Sequence, residues 1–178
     1  MDENRAEKRQ GEVAVLTCLA DGLRPFVKRE IESAINAGRL PRNYIASGGE
    51  DESFGWDKAV SDWDEYNLLK FMREHWRDVF AGTLDKKCLN YVHELLTIRN
   101  DFAHTGENTA FDVDRTCDTA ERLLRAVGAY AEAERVRQLA QERRNRQREE
   151  RIARVVDRSL KLIQTQGDPN LRPWREVV

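Results

Sequence analysis

Arg99 and His104 are the two side chains of this sequence best suited to chemistry at phosphorus, and they stand five residues apart in Arg99-Asn100-Asp101-Phe102-Ala103-His104. Cutting RNA through its own ribose needs three things: an acceptor for the 2'-hydroxyl proton, a donor for the leaving oxygen, and a cation for the charge that grows on the phosphorane. An imidazole, titrating near neutrality, serves the first two. A guanidinium suits the third, because its planar fork matches phosphate oxygens. Nothing in this chemistry asks for a metal or a cofactor. Asn100 is a candidate to hold the histidine or a phosphate oxygen. Glu94 and Asp101 are candidate supporting carboxylates, with Glu94 pairing to an arginine of its own chain or of a partner. The structural alternative uses the same residues otherwise: Arg99 pairs with Glu94 or Asp101 inside the fold, and His104 caps a helix end.

The element that carries these residues is a helix beginning near Leu84. Cys88, Val92, Leu95, Arg99 and Phe102 follow one another at steps of four, three, four and three, which is one face of a helix with an arginine inside its apolar stripe. A guanidinium on a core-facing position must be paired or reach a surface cleft, since burying it alone is costly. Gly106 is a candidate C-cap, which places His104 in the last turn. Five residues along an ideal helix turn by about 140° from the starting direction, so Arg99 and His104 do not share a face unless the helix ends between them. Either the turn at Thr105-Gly106 re-aims the histidine, or two copies meet across a twofold axis and pool their residues.

The rest of the chain reads as all-α, because apolar residues recur at three and four and almost never at two. A first helix is expected over residues 7–21. Pro25 allows a fresh start for a second helix over 24–36, or a bent continuation of the first. Residues 38–61, with Pro41, Ser47-Gly48-Gly49 and Glu50-Asp51-Glu52, read as an exposed and mobile loop. They are no phosphate-binding loop, for no Gly-Lys-Ser/Thr follows and the acidic triplet repels phosphate. Trp63, Tyr66, Leu69, Met72, Trp76, Val79 and Phe80 mark one helix over 62–80, whose aromatic stripe reads as core rather than as a base-stacking surface. Asp62, Asp64 and Glu65 open that helix, where negative charge suits the dipole. The short link over 82–86 sets the Arg99 helix antiparallel to it. Asp112 is a candidate N-cap for the next helix, which carries Val113, Cys117, Ala120, Leu124 and Val127 inward.

Residues 1–130 form the expected bundle and 131–178 a charged helical arm and linker. Residues 133–151 are mostly Glu, Arg, Gln and Ala, with Glu142/Arg146 and Glu150/Arg154 at helix-stabilising spacing. The arginine run from Arg143 to Arg158 is interleaved with acids and holds no aromatic residue, which favours a solvated helix or half a coiled coil over a nucleic-acid contact. Amphipathicity returns at Ile152, Val155, Val156, Leu160 and Ile163. The ending Trp174-Arg175-Glu176-Val177-Val178 has no polar taper and suggests a cut before a missing C-terminal module.

Bulk properties remove several function classes. Charged residues are 35% of the 178-residue chain yet cancel to a net charge of −2, so no global field draws it to nucleic acid or a membrane. No apolar run is long enough to span a bilayer, and residues 1–10 are charged rather than signal-like. Cys18, Cys88 and Cys117 lack metal-type spacing and read as reduced core residues of a cytoplasmic protein. His75 and His93 stand outside any ligand constellation, and His93 lies on a different face from Arg99.

The stretch from Glu94 to His104 resembles the signature of HEPN domains: an arginine, a polar residue, a few more, then a histidine, here with four residues between. The likeness is to the Swt1-type HEPN domain. Its early segment is similar to Gly22-Leu23-Arg24-Pro25-Phe26-Val27 with Arg29-Glu30, and its middle helix to Leu68-Leu69 through Trp76 and Val79-Phe80. The likeness covers residues 13–130. It implies a small helical bundle, a face-to-face homodimer and, in active members, metal-independent endoribonuclease activity on RNA, tRNA among the candidate substrates, with Arg99 and His104 catalytic and Asn100 assisting. Inert members serve as dimerisation or nucleic-acid-binding modules. Residues 171–178 also look like the lead into the ATPase module of large bacterial phage-defence proteins, although no Walker motif is present in this chain.

Overall fold

The computed structural model describes the backbone of residues 2–41, 60–105 and 113–165, and the side chains of 13–41, 60–101 and 113–162. Most of the expected 38–61 loop, the caps at Gly106 and Asp112, and the terminal 171–178 segment lie outside the described residues. Among the described residues every regular element is helical, as expected of an all-α chain. They are α1 (Asp2–Asn36), a 3-10 turn (Val60–Asp62), α2 (Glu65–Glu74), a π-helical turn (Trp76–Phe80), α3 (Lys86–Thr105), α4 (Val113–Ala126) and α5 (Tyr130–Thr165). The chain divides into two units, Met1–Ala140 and Gln141–Val178. The first extends past Tyr130 because Ala133, Val136 and Ala140 join its core.

In the first unit α1 packs on α2 and α4, and α3 contacts both α2 and α4. Leu19, Leu23, Val27 and Ile31 of α1 meet Leu68, Leu69 and Met72 of α2, Val92 and Leu95 of α3, and Leu123 and Leu124 of α4 in one buried cluster. The aromatic stripe is core: Trp63 and Phe71 lie 5.3 Å apart between ring centroids, and Phe71 meets Phe80 edge-on at 5.9 Å.

Two expected boundaries differ, and the choice left open at Pro25 falls to continuation: Pro25 lies inside an uninterrupted α1. Pro25 is on the exposed side, where the carbonyl one turn earlier can turn to water, while Leu23, Phe26 and Val27 are fixed in the core; packing overrides the local cost of a mid-helix proline. The expected 62–80 helix is broken at His75 (φ −103°, ψ 21°), after which Ala81 N–H donates to the Trp76 carbonyl at 2.8 Å across a widened turn. That turn sends both Val79 and Phe80 into the core. Helix α3 begins at Lys86, not Leu84. Asp85 accepts the Lys87 backbone N–H at 3.0 Å, the contact that does most to hold its carboxyl below the usual range.

Gly22 is where α1 approaches its neighbours most closely. A Cβ there would lie 2.4 Å from Leu124 Cδ2 and 2.9 Å from Ala129 Cβ. Gly22→Ala is therefore expected to destabilise the bundle by about 1–3 kcal/mol, overpacking outweighing the roughly 1 kcal/mol helix-propensity gain, as read by chemical denaturation. The facing turn needs its own glycine: Gly128 (φ 83°) lets Ala129 N–H reach the Leu124 carbonyl at 2.9 Å.

His75 stacks on Phe71 with centroids 4.5 Å apart, and burial lowers its pKa, against the opposing pull of Glu74 and Asp78. The unfolded chain then binds more protons than the native one as pH falls through the ordinary histidine range, so His75 costs stability below about pH 6.5. The melting temperature of His75→Gln is expected to fall less than that of the wild type between neutral and mildly acidic pH.

Candidate active site

Along α3 the buried positions Cys88, Val92 and Leu95 are followed, on the same stripe, by Arg99. Its guanidinium lies along the gap between α3 and the first turn of α2. The guanidinium carbon is 4.6 Å from the Tyr66 ring centroid, and Nε donates to Glu65 Oε1 at 3.3 Å. Nη2 is 4.0 Å from Asp64 Oδ2, which is ion-pair rather than hydrogen-bond distance. The arginine side chain keeps 26% exposure, against 19% for Glu65. Arg99 thus stays partly exposed and is paired, as its place in an apolar stripe demands.

The partner of Arg99 is not one of the two expected from the sequence. Arg99 pairs with Glu65, thirty-four positions away, rather than with Glu94 or Asp101. The acidic start of α2 does cap the helix as expected: Asp64 has extended backbone (φ −76°, ψ 175°) and accepts the Asn67 N–H at 2.8 Å. The same turn supplies the arginine's carboxylates and aromatic platform. The one signal in the sequence for this second role was the need of Arg99 for a counter-ion.

Glu94 stands about 140° around the axis from Arg99 and turns to α4. There it accepts from the Arg115 guanidinium and, at 3.1 Å, from Thr119 Oγ1. Its arginine belongs to its own chain, and the contact fixes α3 against α4. Asn100 is half-buried and Asp101 exposed.

The backbone remains helical through Thr105. The helix therefore does not end between Arg99 and His104, and the two positions stand about 140° apart around α3. The turn expected at Thr105-Gly106 lies in part outside the described residues. His104, whose side chain lies outside the described ones, shares its ridge with Asn100, four positions before it, and with Thr97 and the exposed His93. So the structure gathers Arg99, Glu65, Asp64 and Tyr66 on one side of α3, and sets the Asn100 and His104 positions on another.

Among the described residues no group of three or more His, Cys, Asp or Glu could hold a metal ion. All three cysteines are buried and free, and burial raises the thiol pKa of Cys18 and Cys88, away from nucleophilic thiolate. No helix among the described residues is long and apolar enough to cross a membrane.

A family model described as Swt1-like HEPN matches residues 14–128 of this chain. No curated protein and no solved structure matches it.

Proposed function

The chain belongs to the Swt1-like HEPN family, and on that footing we propose that it is a metal-independent endoribonuclease module whose site is completed by a second copy of itself. The observation that carries the reading is Arg99: a guanidinium on a core-facing register, held at Nε by Glu65 and 26% exposed. Anchoring Nε sets the plane of the fork while leaving Nη donors for a phosphate. In the proposed site these donors bind the non-bridging oxygens and stabilise the charge that grows on phosphorus. His104, contributed by the second copy, takes the 2'-hydroxyl proton and returns a proton to the departing 5'-oxygen, leaving a 2',3'-cyclic phosphate and a 5'-hydroxyl. Asn100, on the His104 ridge, orients the imidazole or a phosphate oxygen. Asp101 supports the same helix end, and Glu94 holds α3 in place through Arg115 and Thr119.

The substrate proposed is single-stranded or loop RNA, tRNA among the candidates. The wider setting proposed is a homodimeric front end of a cytoplasmic bacterial phage-defence ATPase, with the ATPase module of the parent chain as partner. The test is incubation of the purified chain in EDTA with a panel of tRNA and single-stranded RNA, followed by end-group analysis. Cleavage with 2',3'-cyclic phosphate ends is expected; a stable dimer that cuts nothing on the panel would sink the nuclease reading.

A second reading, an inert dimerisation or nucleic-acid-binding module, is favoured by the carboxylates already beside Arg99. The two part at Glu65. If Glu65 positions a working arginine, Glu65→Ala lowers cleavage about ten- to a hundredfold through misplacement of the fork, and Glu65→Gln, which keeps an acceptor for Nε, recovers most of it. If Arg99 is only a structural tie, both substitutions change stability alone, by about 1 kcal/mol.

A further inference from the structure

The arginines of the second unit alternate with acids in the sequence, but around the axis of α5 the two signs part. Taken from Arg151, the helical rotation puts Arg144, Arg148 and Arg158 at about +20°, +60° and −20°, and Arg154, Arg143 and Lys161 at about −60°, −80° and −80°. These cations share an arc about 140° wide. The acids lie outside it, Glu150 and Asp157 at about −100° and −120°, Glu149 and Glu142 at about 160° and 180°, and of the arginines only Arg146 falls among them. Within the arc Arg143 is half-buried and the others are exposed. Arg154 and Lys161, at the edge beside the acids, are engaged, with Glu150 at 3.5 Å and Asp157 at 2.8 Å. Arg148, Arg151 and Arg158 make no hydrogen bond or ion pair with any described residue.

The unit that bears this face, Gln141–Val178, holds ten basic and six acidic residues, a charge of +4 on a chain of net −2. The field that is absent from the chain as a whole is present here locally.

We infer that this face holds the phosphate backbone of RNA in a base-paired segment. Arginine forks match phosphate oxygens, and three that have no carboxylate to give up lose only water and mobile counter-ions on binding. Arg148, Arg151 and Arg158 are spread over about 15 Å of rise, which fits a chain of phosphates and not a single small anion. The arc contains no aromatic residue, so it offers unpaired bases no surface to stack on. A stem, whose bases are already stacked on one another, asks for none. That the nucleic acid is RNA rests on the function proposed above. An RNA joining a stem to an unpaired stretch then offers something to each unit, and the stem contact adds affinity through effective concentration.

The test is fluorescence anisotropy of the full chain with a labelled RNA hairpin whose riboses all carry 2'-O-methyl groups, so that binding is read without cleavage. Arg148→Gln with Arg151→Gln and Arg158→Gln is expected to raise the dissociation constant about tenfold or more. The same variant is expected to flatten the plot of log affinity against log salt by about two to three in slope, since each phosphate contact contributes about one. Lysine at the same three positions keeps the slope and loses part of the affinity. Helical circular dichroism is expected to be unchanged in both variants, because glutamine and lysine are helix formers close to arginine. An unchanged constant and slope in the glutamine variant overturns the inference. So does equal binding of an unpaired RNA, or of a DNA hairpin of the same sequence, or displacement of the hairpin by polyglutamate as readily as by unlabelled hairpin. Arginine-dependent binding of the stem by a chain that cuts nothing sinks the nuclease reading alone, and cleavage by a chain whose stem binding ignores the three arginines sinks this inference alone.

Discussion

Arg99→Ala is expected to lower RNA cleavage by about a hundred- to a thousandfold while leaving the bundle folded. The loss follows from removing the only cation that the proposed mechanism aims at the phosphorane, where water is a poor substitute for a fixed donor. The folding cost is small by comparison. Arg99 is a quarter exposed, and its pair with Glu65 is a partly solvated one, worth about 1 kcal/mol after screening. Glu65, left without its arginine, still sits in the first turn of α2 beside the capping Asp64, where the helix dipole favours a negative charge. His104→Ala is expected to reduce cleavage by a similar or larger factor, about a hundred- to ten-thousandfold, because proton transfer to and from oxygen loses its carrier. Arg99→Lys should fall between wild type and Arg99→Ala: the charge remains, but one ammonium cannot hold Glu65 and two phosphate oxygens in fixed planes. Initial rates on one labelled RNA in EDTA, with a thermal melt of each variant, separate loss of chemistry from loss of fold. A melt that collapses in Arg99→Ala with no prior wild-type cleavage would assign the arginine to architecture.

The parts of this molecule that were legible in its sequence are those decided within one helix. Cys88, Val92 and Leu95 are buried at the spacing that marked them, and so is the aromatic series around Trp63, Met72 and Phe80. Asp64 caps because capping is a matter of three residues. The demand on Arg99 was also legible, since an arginine in an apolar stripe has to find a partner or a cleft. Which carboxylate answers it was not. Glu94 and Asp101 are near in sequence, but Glu65 is near in space, and the α2–α3 packing that brings it there is a tertiary fact. Pro25 left a restart and a continuation both open, because local propensity argues for a break while core packing on both sides keeps the helix whole. The break at His75 was hidden by the same aromatic richness that made the segment conspicuous, for apolar residues at nearly every step are compatible with both an α-helical and a widened π turn. Because α3 continues through Thr105, no turn separates Arg99 from His104, and the pooled site of two copies is the way of bringing them together that the proposed function adopts.

A site pooled from two copies makes mixed dimers informative. If each site takes Arg99 from one copy and His104 from the other, a dimer of one Arg99→Ala chain and one His104→Ala chain has one site with both groups and one with neither. Random pairing of equal amounts makes half of the dimers mixed, so two preparations that are each nearly inactive should recover about a quarter of wild-type activity once subunits have exchanged. The converse experiment is equally telling. A chain carrying both substitutions spoils both sites of any wild-type partner, so an equal mixture with wild type should fall to about a quarter of the activity of an all-wild-type sample at the same total concentration, whereas independent sites within single chains would leave about a half. Recovery in the first mixture together with excess loss in the second requires residues pooled across two copies. No recovery in the first and half activity in the second, with subunit exchange verified by mass, would place both catalytic groups in one chain and require α3 to unwind between Arg99 and His104 when RNA binds.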